Sequence, residues 1–142
     1  MDSFNNYVKS GKVKKKTLDP EEAKALLQQA NDRLEYTQEK KITEKNAKFV
    51  FEGAYEAARE AAQSLMSLKG YKPYSHEATI SFVRDFYSSS FPEEDIRDFD
   101  RFRQLRNNSV YSASPVTAED AKSCVSFAAK FISKAEKILK TR

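Results

Sequence analysis

AKFVFEGAYEAAREAAQSLMSLKG, residues 47–70, sets Ala47, Val50, Phe51, Ala54, Tyr55, Ala58, Ala61, Ala62, Leu65, Met66 and Leu68 three and four residues apart. That is the period of one buried helix face. Gly70 has the placement of a helix-ending residue with positive φ, and Pro73 shortly beyond it blocks continuation. Thr43 is a suitable N-cap for this segment. The small residues Ala54, Ala57, Ala58, Ala61 and Ala62 allow other helices to approach closely, so the stretch reads as the packed centre of a helical bundle.

The flanking sequence supplies its neighbours. Asp19, Pro20, Glu21 and Glu22 form a helix start with an N-cap carboxylate, proline at the first helical position and acids facing the positive end of the dipole. Ala23, Leu26, Leu27, Ala30, Leu34 and Thr37 continue it as a stripe to about Lys40. On the other side, Ser75 caps a short helix bearing Ile80, Val83, Phe86 and Tyr87, which Ser88, Ser89 and Ser90 interrupt. A further helix opens at Pro92, turns from acidic to basic along its length and ends near Tyr111. After a turn at Ser112–Pro115, Thr117–Asp120 reads as a capping sequence for a last helix, with Ala121, Cys124, Val125, Ala128, Phe131, Ile132, Ala135, Ile138 and Leu139 as its apolar face. The expected fold class is all-α: an antiparallel up-and-down four-helix bundle with an additional short helix.

Composition agrees and narrows the function. A chain of 142 residues is of single-domain size, and 3 Gly with 4 Pro leave few breaks in helix-favouring sequence. The first sixteen residues hold Lys9, Lys12, Lys14, Lys15 and Lys16 against Asp2 alone, so the net charge of +4 resides there and the rest is balanced. Residues 1–18 are therefore set apart as a basic leader, and residues 19–142 as the bundle. The leader reads either as a phosphate-attracting segment or as a solvated tail. No window approaches the ~18 to 20 apolar residues of a membrane span, and the N-terminus lacks a signal-peptide core, which points to the cytoplasm. One cysteine, Cys124, and one histidine, His76, cannot build a zinc cage between them, and no cofactor is implied. Cys124 reads as a buried small residue, and His76 as a capping and packing residue beside Tyr74.

On a helical wheel, Ile96, Phe99, Arg103, Arg106 and Val110 share one stripe. Two arginines thus lie on an apolar face, where each needs an acid, a carbonyl, a partner chain or a ligand phosphate. An ordinary ion pair within the bundle satisfies the same requirement.

The sequence Leu105, Arg106, Asn107, Asn108, Ser109, Val110, Tyr111 resembles the RNxxxH/Y signature of HEPN domains. FEGAYEAAREAAQSLMSLKGYKPYSHEATISFVRDF, from Phe51 to Phe86, is similar to the second and third helices of that family, and DPEEAKALLQQANDRL, from Asp19, to its start. The resemblance covers most of the chain from Asp19 onward. It implies a bundle, usually dimeric, with motif residues of both subunits lining a shared cleft. It further implies binding of RNA or a nucleotide and, in many members, metal-independent ribonuclease activity or partnership with a minimal nucleotidyltransferase in toxin–antitoxin pairs. On this resemblance Arg103, Arg106, Asn107 and Tyr111 are the ligand-binding residues, with Arg106 on phosphate. Arg106 and Tyr111 are then the candidate catalytic pair, Tyr111 standing where the family has its catalytic histidine. A phenol is a far weaker base than an imidazole at neutral pH, so Tyr111 is suited to hydrogen bonding and stacking, and catalysis is left open. The alternative is a noncatalytic helical adaptor that docks a minimal nucleotidyltransferase.

Overall fold

In the computed structural model, which describes residues 1–141, the caps read from the sequence set the helix boundaries. Asp19 accepts a hydrogen bond from Glu22 N and opens α2 (Pro20–Gln38), after a short α1 (Phe4–Lys9) and strand β1 (Val13–Lys15). Helix α3 (Ala47–Lys69) begins after Asn46 rather than at Thr43. The Thr43 hydroxyl accepts from Asn46 N, and the Asn46 amide oxygen accepts from Thr43 N, closing a turn ahead of the helix. Gly70 ends α3 at φ 83°, where the chain enters β2 (Tyr71–Pro73). Ser75 caps α4 (His76–Phe86) by accepting from Ala78 N. Helix α5 (Glu93–Ser112) starts after Pro92, and α6 (Ala118–Thr141) starts at a reciprocal pair in which Thr117 and Asp120 bond each other's backbone N–H. Arg142, the last residue of the expected bundle, lies outside the described residues.

The fold is mostly helical, as expected, with 73% of residues in helix. Helix α3 is the axis: α2, α4, α5, α6 and β2 all contact it, and α2 also touches α6. Pairing of α2 with α3 is antiparallel, since Ser64 donates to Ala23 O near one end while Gly53 lies against Thr37 near the other. Ala54, Ala57, Ala58, Ala61 and Ala62 are fully buried, which is how one helix accommodates so many neighbours. Between α5 and α6 the core is aromatic, with Phe99 and Phe102 against Phe127 and Phe131. Cys124 is buried against Phe51 O. Among the described residues no helix is long and apolar enough to cross a membrane.

Two readings need correction. The basic leader is not a free tail. Phe4 is 4% exposed, in edge-to-face contact with Tyr71, Phe82 and Phe86, and Val13 is 3% exposed. Phe4 N donates to the Asp85 carboxylate at 2.9 Å, and β1 pairs antiparallel with β2, Val13 opposite Pro73 and Lys15 opposite Tyr71. Counting lysines missed the two apolar anchors that pin the segment. Its path also fixes Gly70, because a Cβ there would stand 2.6 Å from Lys16 O. In α5 the buried positions are Ile96, Phe99, Phe102 and Ser109, and Val110 is 46% exposed. Burial is turned toward Phe102 because α5 meets α6 through that ring as well as α3 and α4.

Candidate functional site

Opposite its alanine-rich face, helix α3 carries a polar stripe that includes Glu52, Glu56, Arg59, Glu60 and Gln63. Glu60 is 2% exposed and is held by Gln29 and by Arg33, whose Nε lies 2.7 Å from Oε1. One turn earlier, Arg59 Nε donates to Glu56 at 2.9 Å. Tyr55 is buried beside them and its hydroxyl hydrogen-bonds His76 Nδ1 at 2.9 Å, the two rings stacking at 5.7 Å. Burial, reinforced by the charges of Arg59, Arg106 and Arg103, pushes His76 down to about 4, so its imidazole is neutral at pH 7. Burial likewise raises the Tyr55 phenol well above its ordinary value.

Arg103 and Arg106 project from α5 toward this stripe and meet different fates. Arg103 is satisfied inside the bundle: Nε is 2.7 Å from Asp100 and Nη1 is 3.5 Å from Glu77. The Arg106 guanidinium contacts the Asn107 amide oxygen at 3.4 Å and, among the described residues, has no carboxylate within 4 Å. It borders a recess of about 420 Å³ shared with Arg33, Glu52, Gly53, Tyr55, Glu56 and the exposed Phe49 and Val110. Asn107 is half-buried next to it. Tyr111 is 78% exposed and does not line the recess. Five residues along a helix turn the side chain by about 140°, so Arg106 and Tyr111 of one chain face different directions.

A larger groove, about 560 Å³, runs between α5 and α6 over Phe102, Phe127 and Phe131. Its rim mixes acids and bases and includes none of Arg103, Arg106, Asn107 or Tyr111. The smaller recess has the more specific chemistry: a half-buried cation with no carboxylate within 4 Å among the described residues, two carboxylates, Glu52 and Glu56, elsewhere on the lining, a phenol and, behind the phenol, a neutral imidazole. Such a set can hold a phosphate oxygen by charge-assisted hydrogen bonds. Sequence reading missed Tyr55, Glu56, Arg59 and Glu60. The available signal was their recurrence at helical spacing on an alanine-rich helix.

A family model described as the HEPN domain matches residues 23–138. The chain belongs to the HEPN domain family. The match spans α3 to α5 entirely, most of α2 and α6, and therefore the whole Arg106 recess, while α1 and β1 precede the HEPN match. None of the curated proteins compared with the chain matches it.

Proposed function

We propose that this HEPN domain binds RNA or a nucleotide through phosphate, with Arg106 as the anchoring cation, and that it acts as a homodimer. The observation that carries this reading is the Arg106 guanidinium, partly buried at the recess yet with no carboxylate within 4 Å among the described residues, Glu52 and Glu56 lining the same recess without pairing with it. Burying such a group without a counter-charge is unfavourable, and a bound phosphate supplies that charge. Asn107 orients the guanidinium, and Tyr55 forms part of the wall of the recess with its hydroxyl held by His76. Arg103, already paired with Asp100 and Glu77, adds positive potential rather than a free donor.

The dimer follows from Tyr111 and the apolar rim. Phe49 at 70% exposure and Val110 at 46% leave large side chains in water at the Arg106 recess, and Tyr111, at 78%, is exposed on α5 outside it. A twofold pairing through α5 covers them and brings the tyrosine of one subunit toward the arginine of the other, which one chain cannot do. Tyr111 then contacts the ligand by hydrogen bonding or stacking.

The test is incubation of pure protein and an Arg106→Ala variant with defined RNAs in chelator, followed by binding and product analysis. Arg106-dependent binding supports the proposal. Cleavage ending in a cyclic phosphate adds ribonuclease activity, as in a toxin of a toxin–antitoxin pair. Equal RNA and nucleotide binding by both proteins overturns the proposal and favours an adaptor that docks a minimal nucleotidyltransferase.

A further inference from the structure

The ribbon of β1 and β2 carries a charge arrangement that the bundle does not require. Its ladder sets Lys14 directly opposite Lys72. Hydrogen bonds from Tyr74 N to Lys12 O, 2.8 Å, and from Lys16 N to Gly70 O, 2.9 Å, continue that register at both ends. Side chains alternate along a strand, so Lys12, Lys14 and Lys16 share one face with Lys72 and Tyr74. Val13 and Tyr71 occupy the other face, where Val13 is buried and Tyr71 meets Phe4 and Phe82. Lys12, Lys14 and Lys72 are exposed, and Tyr74 is 58% exposed with the Lys72 ammonium 5.7 Å from its ring centroid. Lys16 pairs with Glu22 at 2.9 Å, whereas Lys12, Lys14 and Lys72 have no carboxylate within 4 Å among the described residues. Like charges placed directly opposite destabilise a strand pair, and an anion lying across Lys14 and Lys72 relieves that repulsion.

We propose that this face of the ribbon binds the backbone of a single-stranded RNA, with Tyr74 as a ring on which a base stacks. Lysines on alternate positions of a strand present a row of cations to a row of phosphates, and base stacking on an aromatic ring tolerates any sequence. An anionic membrane fits less well, because the solvent face offers one aromatic ring and no aliphatic side chain to insert. Continuity gives the proposal its direction. From Tyr74 the chain passes through Ser75 to His76, which the Tyr55 hydrogen bond holds beside the Arg106 recess. On this proposal a strand that starts on the ribbon continues past His76 toward Arg106. The inference rests on the reading of Arg106 as a phosphate site and sharpens it, naming an extended RNA strand rather than a mononucleotide as the ligand. Strand β1, half of the ribbon, precedes the region matched by the family model.

The experiment uses the full chain, a Lys12→Gln/Lys14→Gln/Lys72→Gln variant, Tyr74→Ala and Arg106→Ala. Each is titrated with a labelled single-stranded RNA of about 20 nucleotides, long enough to cross the ribbon and the recess, with a dinucleotide, and with phosphatidylserine-containing vesicles. Expected for the triple variant is about a tenfold loss of RNA affinity and a salt slope flatter by about 2, from three phosphate contacts on a single strand. Its dinucleotide affinity stays unchanged, and Tyr74→Ala weakens RNA without altering the slope. The matching triple Lys→Arg variant keeps wild-type affinity, and thermal melting shows that all variants are folded. An unchanged slope in the triple variant, with Arg106→Ala still weakened, overturns the ribbon and leaves the Arg106 site standing. Loss in the triple variant with Arg106→Ala equal to wild type overturns the Arg106 reading and with it the continuous track. Vesicle binding that depends on the lysines, with RNA binding that does not, overturns the proposal in favour of a membrane surface.

Discussion

The Tyr55 hydroxyl and His76 Nδ1 lie 2.9 Å apart and join α3 to α4 at the edge of the Arg106 recess. The imidazole is kept neutral there by burial and by Arg59, Arg106 and Arg103, against the opposite pull of Glu56. Its proton affinity falls from the ordinary 6.5 to about 4 on folding. Between those values the unfolded chain holds more protons than the folded one, so stability rises with pH. The contribution is complete above about pH 6.5 and is lost as pH falls toward 4. Allowing for solvent screening of a partly exposed ring, urea denaturation should show a loss of about 1 to 2 kcal/mol across this window. His76→Gln should flatten that part of the curve, and an unchanged curve would show that His76 does not set it.

The Arg33–Glu60 pair is asymmetric, with side chains 40% and 3% exposed. Removing the arginine leaves a buried carboxylate with Gln29 as its remaining partner, whereas Glu60→Gln leaves a guanidinium that water can reach. Arg33→Ala should cost about 2 to 3 kcal/mol and Glu60→Gln about 1 kcal/mol in chemical denaturation. The reverse order would contradict this account of the pair.

Ser109 is 1% exposed, and its hydroxyl has no hydrogen-bond partner among the described residues. Replacing an unsatisfied buried hydroxyl on a helix by alanine removes a desolvation cost and improves helix propensity. Ser109→Ala should be neutral or stabilising by up to about 1 kcal/mol in thermal melting. A loss of that size would instead show that the hydroxyl is satisfied in solution.

The helices were legible because their signals are local. Asp19–Pro20, Ser75, Gly70 and Thr117–Asp120 each act within one turn, and alanine spacing marked α3 as the centre. The ribbon was not legible, since Val13 finds Pro73 far along the chain and three residues among lysines carry no strand pattern. In the site, the wheel placed Arg103 and Arg106 beside apolar residues, and Asp100 was within local reach of Arg103. What the wheel could not show is that Glu77 also approaches Arg103 while Arg106 has no described carboxylate within 4 Å. Tyr55 and His76 belong to different helices, and nothing in either segment announces their pairing.

Phe49 and Val110 border the Arg106 recess and Tyr111 lies outside it, all three as exposed large side chains, and a second copy is the occupant proposed for them. Light scattering at micromolar concentration and moderate salt should give twice the monomer mass, and Val110→Glu should shift the population to monomer. A wild-type monomer under those conditions would remove the shared cleft from the account.

The most direct test of phosphate binding at Arg106 uses the one histidine of the chain, whose imidazole C–H proton is a unique NMR signal next to the recess. Titration with a short RNA should move the His76 resonance to saturation and raise its proton affinity, as a bound phosphate offsets the nearby arginine charges. Arg106→Ala should abolish that response and Tyr111→Phe should retain it, with affinity within about 1.5 kcal/mol of wild type. RNA that binds while the His76 signal stays fixed, or that moves it equally in Arg106→Ala, would contradict the assignment of Arg106 as the phosphate anchor.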